Sequence, residues 1–335
     1  MNVKSRAKIG AVVGAAALGL GILAAPASAD PSPVTDYRQL AGVGSDTTQY
    51  VVNGLGEAVT NANGKIIASW NATGTATVKT KATGCDSVAR PNGSSAGINA
   101  LNADIDNALV NCVDFARSSR GPADTSTNHL TFIPFAKDGV TYATDLGSTL
   151  PTNLTTAQLA DIYKCTSTAY PNAQPLLPQS GSGTRAFWLQ AIGVTEAQLG
   201  SCVNGNVQEH DGVAIANGNQ IMPYSIAQWI AQGKGFADVP NRRGESRLRS
   251  INGTAPTTGS GTALALNTGF TPNFLRDVYN VVETAKLTGG ANPNAVIIET
   301  FQGSTSKVCA ASTTITNYGF GTVANCGAVT LKAER

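Results

Sequence analysis

The sequence predicts an α/β fold arranged in two lobes, and three observations lead there. Apolar runs of strand length alternate with segments whose apolar residues recur at helical spacing. A strand, a Gly-rich turn and a helix follow one another twice, at widely separated places in the chain. The length of 335 residues, 42% of them hydrophobic and 13% charged, exceeds what one domain of roughly 150 residues requires. The same figures exclude a disordered chain, a coiled coil and a miniature disulfide knot. An aromatic content of 6% argues against a stacking platform for single-stranded nucleic acid.

The first 29 residues read as an export signal. Lys4, Arg6 and Lys8 precede an apolar stretch from Ala11 to Leu23, and Ala27-Ser28-Ala29 supplies small residues ahead of Asp30, so cleavage after Ala29 is expected. An uncleaved membrane anchor is the alternative, but the stretch is shorter than the roughly 20 residues of a bilayer span and is rich in Gly and Ala. No later segment is suited to membrane insertion, and no Cys stands at the cleavage point to take a lipid. The expectation is a secreted protein, free or loosely associated with the cell wall. Without the three basic residues of the signal, the 23 Lys and Arg fall to 20 against 21 acidic residues, a net charge of −1. Binding to nucleic acid or to an anionic membrane through bulk charge is therefore not expected. Arg242, Arg243, Arg247 and Arg249 cluster locally and read as a solvated loop or strand face, with an anion or partner patch as the alternative.

Along the mature chain, Leu40 to Val43 reads as a short strand that breaks at Gly44-Ser45-Asp46, after which Val51, Val52, Leu55 and Val59 fall at helical spacing. Asn92-Gly93-Ser94-Ser95-Ala96-Gly97 forms a second small-residue turn, ahead of Ile98 and Leu101. A helix is expected from Thr156 to Lys164 with Thr155 as its cap. The strand Gln174 to Leu177 leads into Pro178-Gln179-Ser180-Gly181-Ser182-Gly183-Thr184-Arg185 and then a helix containing Phe187, Trp188, Leu189 and Ile192. Further helices are expected at Ile226 to Gln232, capped by Ser225, and around Phe274 to Ala285. The six cysteines all lie in the exported part, and an even number outside the cell reads as three disulfides. Among the connectivities that six cysteines allow, pairing of sequence neighbours fits best, which gives Cys85–Cys112, Cys165–Cys202 and Cys309–Cys326.

The chemistry of the turns favours an oxyanion. A helix start presents unpaired backbone N–H groups and the positive end of its dipole, glycines let the backbone approach closely, and Ser or Thr hydroxyls add donors without charge. Ser182, Gly183 and Thr184 meet all three conditions, and Ser94 and Ser95 open a similar turn. A single turn of this kind most often only caps its helix; three in one chain point further.

The order Gly44-Ser45-Asp46-Thr47-Thr48, Pro91-Asn92-Gly93-Ser94-Ser95-Ala96-Gly97, Phe115-Ala116-Arg117-Ser118-Ser119 and Ser180-Gly181-Ser182-Gly183-Thr184 resembles the phosphate-binding proteins of ABC transporters, specifically their secreted actinobacterial relatives. The resemblance extends to Phe132 to Val140 and to Leu154 to Leu159, and so covers most of the mature chain. It implies a two-lobed type II periplasmic-binding-protein fold with hinge strands between the lobes. The first lobe would take residues 30–134 and 271–335, and the second residues 135–270. It also implies a cleft that closes on inorganic phosphate or a related oxyanion, with an ABC permease as partner and no cofactor, and a monomeric state. Carried over position by position, Asp46 and Thr47 match the first helix start, Ser94 or Ser95 the second turn, Ser119 the third, and Ser182, Gly183 and Thr184 the helix start of the second lobe.

Two departures accompany the resemblance. Where phosphate-selective members place a carboxylate that accepts the proton of the ligand, this chain has Ser119; Asp46 is the candidate replacement, against its simpler role as a helix cap. An Arg of the family, four residues before Ser182, is Pro178 here, so Arg185, Arg117 or Arg120 is expected to supply the positive charge. An enzyme reading competes less well. Gly93 to Gly97 matches GxSxG with Ser95 as nucleophile, and Asp124 with His129 or His210 completes a hydrolase order, yet Arg90-Pro91-Asn92 is not the apolar strand that a nucleophile elbow leaves. With two histidines in the chain and no pair of ligands at metal spacing, no metal site is expected, and His210 reads as a solvated loop residue. A further alternative keeps the fold but drops transport, leaving a secreted scaffold for interaction.

Overall fold

The computed structural model describes residues 30–31 and 34–334, so the expected signal peptide lies outside the described residues. Among those described, no helix is long and apolar enough to cross a membrane.

A ten-stranded sheet runs through the molecule. Across it the strands follow the order Asn204–Val207, Gln174–Pro178, Gln220–Ser225, Leu130–Asp145, Leu275–Glu283, Phe115–Ser118, Leu40–Gly44 and Ile67–Ser69. The short strands Ser246–Leu248 and Lys332–Ala333 also pair with Leu130–Asp145. The three strands at either end are parallel to one another, whereas the two central strands pair antiparallel. Two parallel α/β blocks are thus joined by one long antiparallel pair. This is a two-lobed α/β fold with hinge strands between the lobes, of the type II periplasmic-binding-protein kind.

The shared strand feeds the cores of both halves. Leu130–Asp145 has 16 residues, about 50 Å of extended chain, and is buried on both faces along nearly its whole length. Its first half gives Ile133, Phe135 and Ala136 to a core with Leu40, Val51, Leu55, Phe115 and Phe301. Its second half gives Val140 and Tyr142 to another, centred on Trp188 with Tyr163, Leu177 and Phe274. In that second core, Tyr163 and Phe274 set their rings edge-on to Trp188, at 5.7 and 5.6 Å between centroids. Each such side chain contributes roughly 1.5–3 kcal/mol by leaving water. The two halves also meet away from the cleft, where Tyr318 stacks on Phe236 at 4.8 Å and donates its hydroxyl to Asp238 at 3.1 Å.

The helices begin where the cap residues ask them to. Thr155 and Gln158 form a reciprocal capping box at the start of Thr156–Tyr163, and the Ser225 hydroxyl accepts from the Gln228 N–H at the start of Ile226–Gly233. One expected helix is absent. Residues 275–283 form a strand, framed by 3₁₀ turns at Pro272–Phe274 and Thr284–Lys286. Val278, Val281 and Val282 mimic helical spacing, but Arg276, Val278 and Asn280 alternate into the buried face, and β-branched and aromatic residues suit the centre of a sheet. The disulfides are Cys85–Cys112, Cys165–Cys202 and Cys309–Cys326, closing 27, 37 and 17 residues. On chain entropy alone each adds roughly 3–4 kcal/mol.

Candidate functional site

Ligands of open α/β sheets gather beyond the carboxyl ends of parallel strands, and five segments of this protein meet there. Leu40–Gly44 runs into Ser45 to Thr48 and the helix Gln49–Ala58. The turn is tight because Gly44 has φ +120° and packs against Gly97 at the head of the helix Ser94–Ile105; a Cβ on Gly97 would lie 2.6 Å from the Gly44 Cα. Phe115–Ser118 delivers Ser119, whose N–H donates to the Ser94 hydroxyl at 3.0 Å. Gln174–Pro178 leads to Ser182, whose hydroxyl accepts from the Arg185 N–H and starts the helix Gly183–Ile192. Asn204–Val207 leads to Glu209 and His210, and Gln220–Ser225 ends beside them.

The turns touch across the lobes. The Ser95 N–H donates to the Gly181 carbonyl at 3.2 Å. Gly183 faces the Ser94 and Ser119 hydroxyls so closely that a Cβ there would lie 2.3 and 2.4 Å from them. The hydroxyls of Thr47 and Thr184 are 3.1 Å apart.

Charge reaches this point from the hinge and the second lobe. Arg276, on the central strand, lies opposite Asp138 and donates to its Oδ2 from Nε at 3.1 Å and Nη2 at 2.8 Å. The same Nη2 reaches the hydroxyls of Thr184 at 3.1 Å and Thr47 at 3.4 Å, while the buried Nη1 has no partner. Asp138 is saturated by Arg276, the Ser225 hydroxyl and the Ala227 N–H. His210 accepts at Nδ1 from the Ser225 N–H, which assigns its proton to Nε2, and Nε2 then donates to the Thr47 hydroxyl at 2.9 Å. Thr47 in turn donates to Glu209 Oε2 at 3.3 Å. Burial alone would raise the Glu209 carboxyl, but the polar groups of His210, Ser182 and Thr184 around it outweigh burial and hold it below the ordinary carboxylate range.

Of the residues expected at the site, the structure brings together Thr47, Ser94, Ser119, Ser182, Gly183 and Thr184. Asp46 is beside them but occupied: Arg242 donates to both its oxygens at 3.3 Å, and Gln208 and Gln49 donate to Oδ2. Burial pushes the Asp46 carboxyl up, with Arg242 opposing. Three expected residues face elsewhere. The Ser95 hydroxyl accepts from Arg120, which also pairs with Glu334. Arg117 turns back under the first turn, donating to the carbonyls of Gly42, Gly44 and Ser45 and to the Ser69 hydroxyl. Burial with no carboxylate bonded to it pulls Arg117 down to about 9. Arg185 grips Glu196 and the carbonyls of Pro178 and Gly205.

The guanidinium that reaches the meeting turns is that of Arg276, inside a segment that reads as a helix in sequence, while those of Arg117, Arg120 and Arg185 are engaged elsewhere. Two further expectations are corrected. Arg242 is not part of a solvated face, since it closes over the buried Asp46 from the other lobe. His210 is not a solvated loop residue but fully buried, with both ring nitrogens engaged. The signal that could have found Glu209 and His210 is positional, because both follow the end of a parallel strand. That strand, Asn-Gly-Asn-Val, has too little apolar character to be read as one.

A family model described as a PBP superfamily domain matches residues 35–303. No curated protein matches the sequence. Among solved structures, the fold is similar to that of an ABC-type phosphate transport receptor from Vibrio cholerae, at 17% identity, with 85% of this chain and 100% of that one covered and a TM-score of 0.54. It is also similar to a high-affinity periplasmic phosphate-binding protein, PfluDING, bound with phosphate, at 13% identity, with 85% and 90% covered and a TM-score of 0.50. At these identities the likeness is one of fold.

Proposed function

The chain belongs to the PBP superfamily, and from that premise we propose that it is an extracellular solute-binding protein that captures an inorganic oxyanion, phosphate, between its lobes for uptake by an ABC permease. The observation that carries this reading is the meeting of Thr47, Ser94 and Ser119 with Ser182, Gly183, Thr184 and the unpaired Nη1 of Arg276. Neutral hydroxyls, three helix starts and one guanidinium suit a small, highly charged, tetrahedral anion. The similar receptors of known structure, named for phosphate, support the choice of anion.

On this reading residues 30–134 with 271–335 form one lobe and residues 135–270 the other. Because the donors are divided between them, an anion that contacts both stabilises the closed form, which is the form a permease distinguishes. The role is capture and not catalysis: Ser95 is bonded to Arg120, and His210 is committed to Thr47 and Ser225. Three disulfides fit a location outside the cytoplasm, in the medium or at the cell wall.

The test is calorimetric titration with phosphate of the mature, disulfide-intact protein, stripped of bound anion by partial unfolding and refolding. A dissociation constant in the micromolar range or tighter is expected. Absence of binding by the wild-type protein and by every variant described below would overturn the receptor reading.

A further inference from the structure

One donor assigned above to the anion is already spoken for by a group of the protein itself. Thr47 has one hydroxyl proton and receives the Nε2–H of His210, so that its own proton goes to Glu209 Oε2. Thr184, 3.1 Å from the Thr47 hydroxyl, receives Arg276 Nη2, and Ser182 receives the Arg185 N–H. Each of these hydroxyls accepts from another group, and the single proton of Thr47 is spent on the Glu209 carboxylate. That carboxylate is fully buried, and its second oxygen, Oε1, has no partner. The bond spans the cleft, since Thr47 follows the first strand and Glu209 follows the strand Asn204–Val207 on the opposite side. The other two buried carboxylates nearby take no hydroxyl of the meeting turns from the opposite lobe: Asp138 is saturated by the hinge arginine and the Ser225 hydroxyl, and Asp46, which also reaches across, bonds Arg242 and two glutamines.

We propose that Glu209 is a tethered internal ligand: its carboxylate bridges the two lobes through the Thr47 hydroxyl, and an incoming oxyanion competes with it for that donor. The inference rests on the function proposed above for its competitor, but the bridge itself does not. A carboxylate and a tetrahedral oxyanion offer the same chemistry to a hydroxyl, an anionic oxygen with lone pairs. The tether gives the carboxylate an effective concentration in the millimolar range or above, so it lowers the apparent affinity for any anion that needs the same donor. It also holds the lobes together by contacts that a free anion would otherwise supply.

Two measurements on the full mature chain test this. In calorimetry, Glu209→Gln and Glu209→Ala should each bind phosphate roughly 10-fold or more tightly than wild type, with sulfate affinity raised by a similar factor because the competitor does not discriminate between anions. In small-angle scattering after stripping, wild type should remain compact, whereas Glu209→Ala should show a larger radius of gyration that phosphate restores. Loss of phosphate affinity in both variants, while circular dichroism shows them folded, would overturn the proposal by making Glu209 a direct contact of the anion. Unchanged affinity, or a stripped wild type as open as Glu209→Ala, would overturn it as well. If no anion binds any form but Glu209→Ala alone opens, the receptor reading fails and the internal bridge stands.

Discussion

Arg117 and Arg276 are both buried, both on strands that end at the cleft, and opposite in use. Arg117 points away from the hydroxyls of Thr47 and Thr184 and spends its guanidinium on three backbone carbonyls and the Ser69 hydroxyl, which fixes the shape of the first turn. Arg276 pairs with Asp138 on the neighbouring strand, extends Nη2 to both threonines and keeps Nη1 free. One arginine braces the first turn, and the other carries charge to the point where the turns meet. A buried cation whose partners are all carbonyls is a brace, whereas one anchored on a single carboxylate with a donor left over can still hold an anion.

The sharpest way to break this comparison is Arg276→Met. It removes the charge from the cleft and leaves Asp138 buried with its ionic partner gone, a change that costs about 3–5 kcal/mol of stability. Phosphate affinity should fall by roughly 100-fold or more, since one well-placed charged hydrogen bond contributes about 1.5–3 kcal/mol and the two threonines lose their neighbour as well. Calorimetry and urea unfolding read the two effects separately, and a variant that still binds as wild type does would remove Arg276 from the site. Arg117→Met sharpens the same comparison from the other side. It strips donors from several buried carbonyls, so a stability loss of about 1–3 kcal/mol is expected, with phosphate affinity reduced less than 10-fold at temperatures where the protein stays folded. A larger loss of affinity than for Arg276→Met would reverse the two roles.

The contrast also explains what the sequence could disclose. The neutral half of the candidate site was legible, because a turn that ends a strand and opens a helix needs small, polar or Gly residues in consecutive positions, and Gly44 to Thr48, Gly93 to Ser95 and Ser182 to Thr184 meet that need locally. The alternation of elements and the shared segment Phe132 to Val140 were legible for the same reason, as were the caps at Thr155 and Ser225. The charged half was not. Arg276 becomes a site residue only when its strand pairs with Leu130–Asp145, more than 130 positions earlier, and the valines around it imitate a helix. Glu209, His210 and Arg242 sit in polar stretches that look solvated until the first lobe covers them. Local chemistry writes donors into turns, whereas long-range pairing decides which charges they face.

Arg185 supplies the smallest effect and the cleanest control. It stands three residues after Ser182, inside the motif that most resembles an anion site, and proximity in sequence would assign it to the anion before Arg276. In the folded protein its side chain leaves the helix on the far side, bonding Glu196, itself largely solvent-exposed, and two carbonyls at the strand edge. Its contribution to Ser182 is made through the backbone N–H, which any residue at that position supplies. Arg185→Ala should therefore change phosphate affinity by less than about twofold and lower stability by about 1 kcal/mol, the upper end for an exposed ion pair together with lost bonds to backbone carbonyls. A loss of affinity approaching that of Arg276→Met would mean that the helix start, and not the hinge strand, provides the charge, and the division of labour between the two central arginines would have to be redrawn around the second lobe.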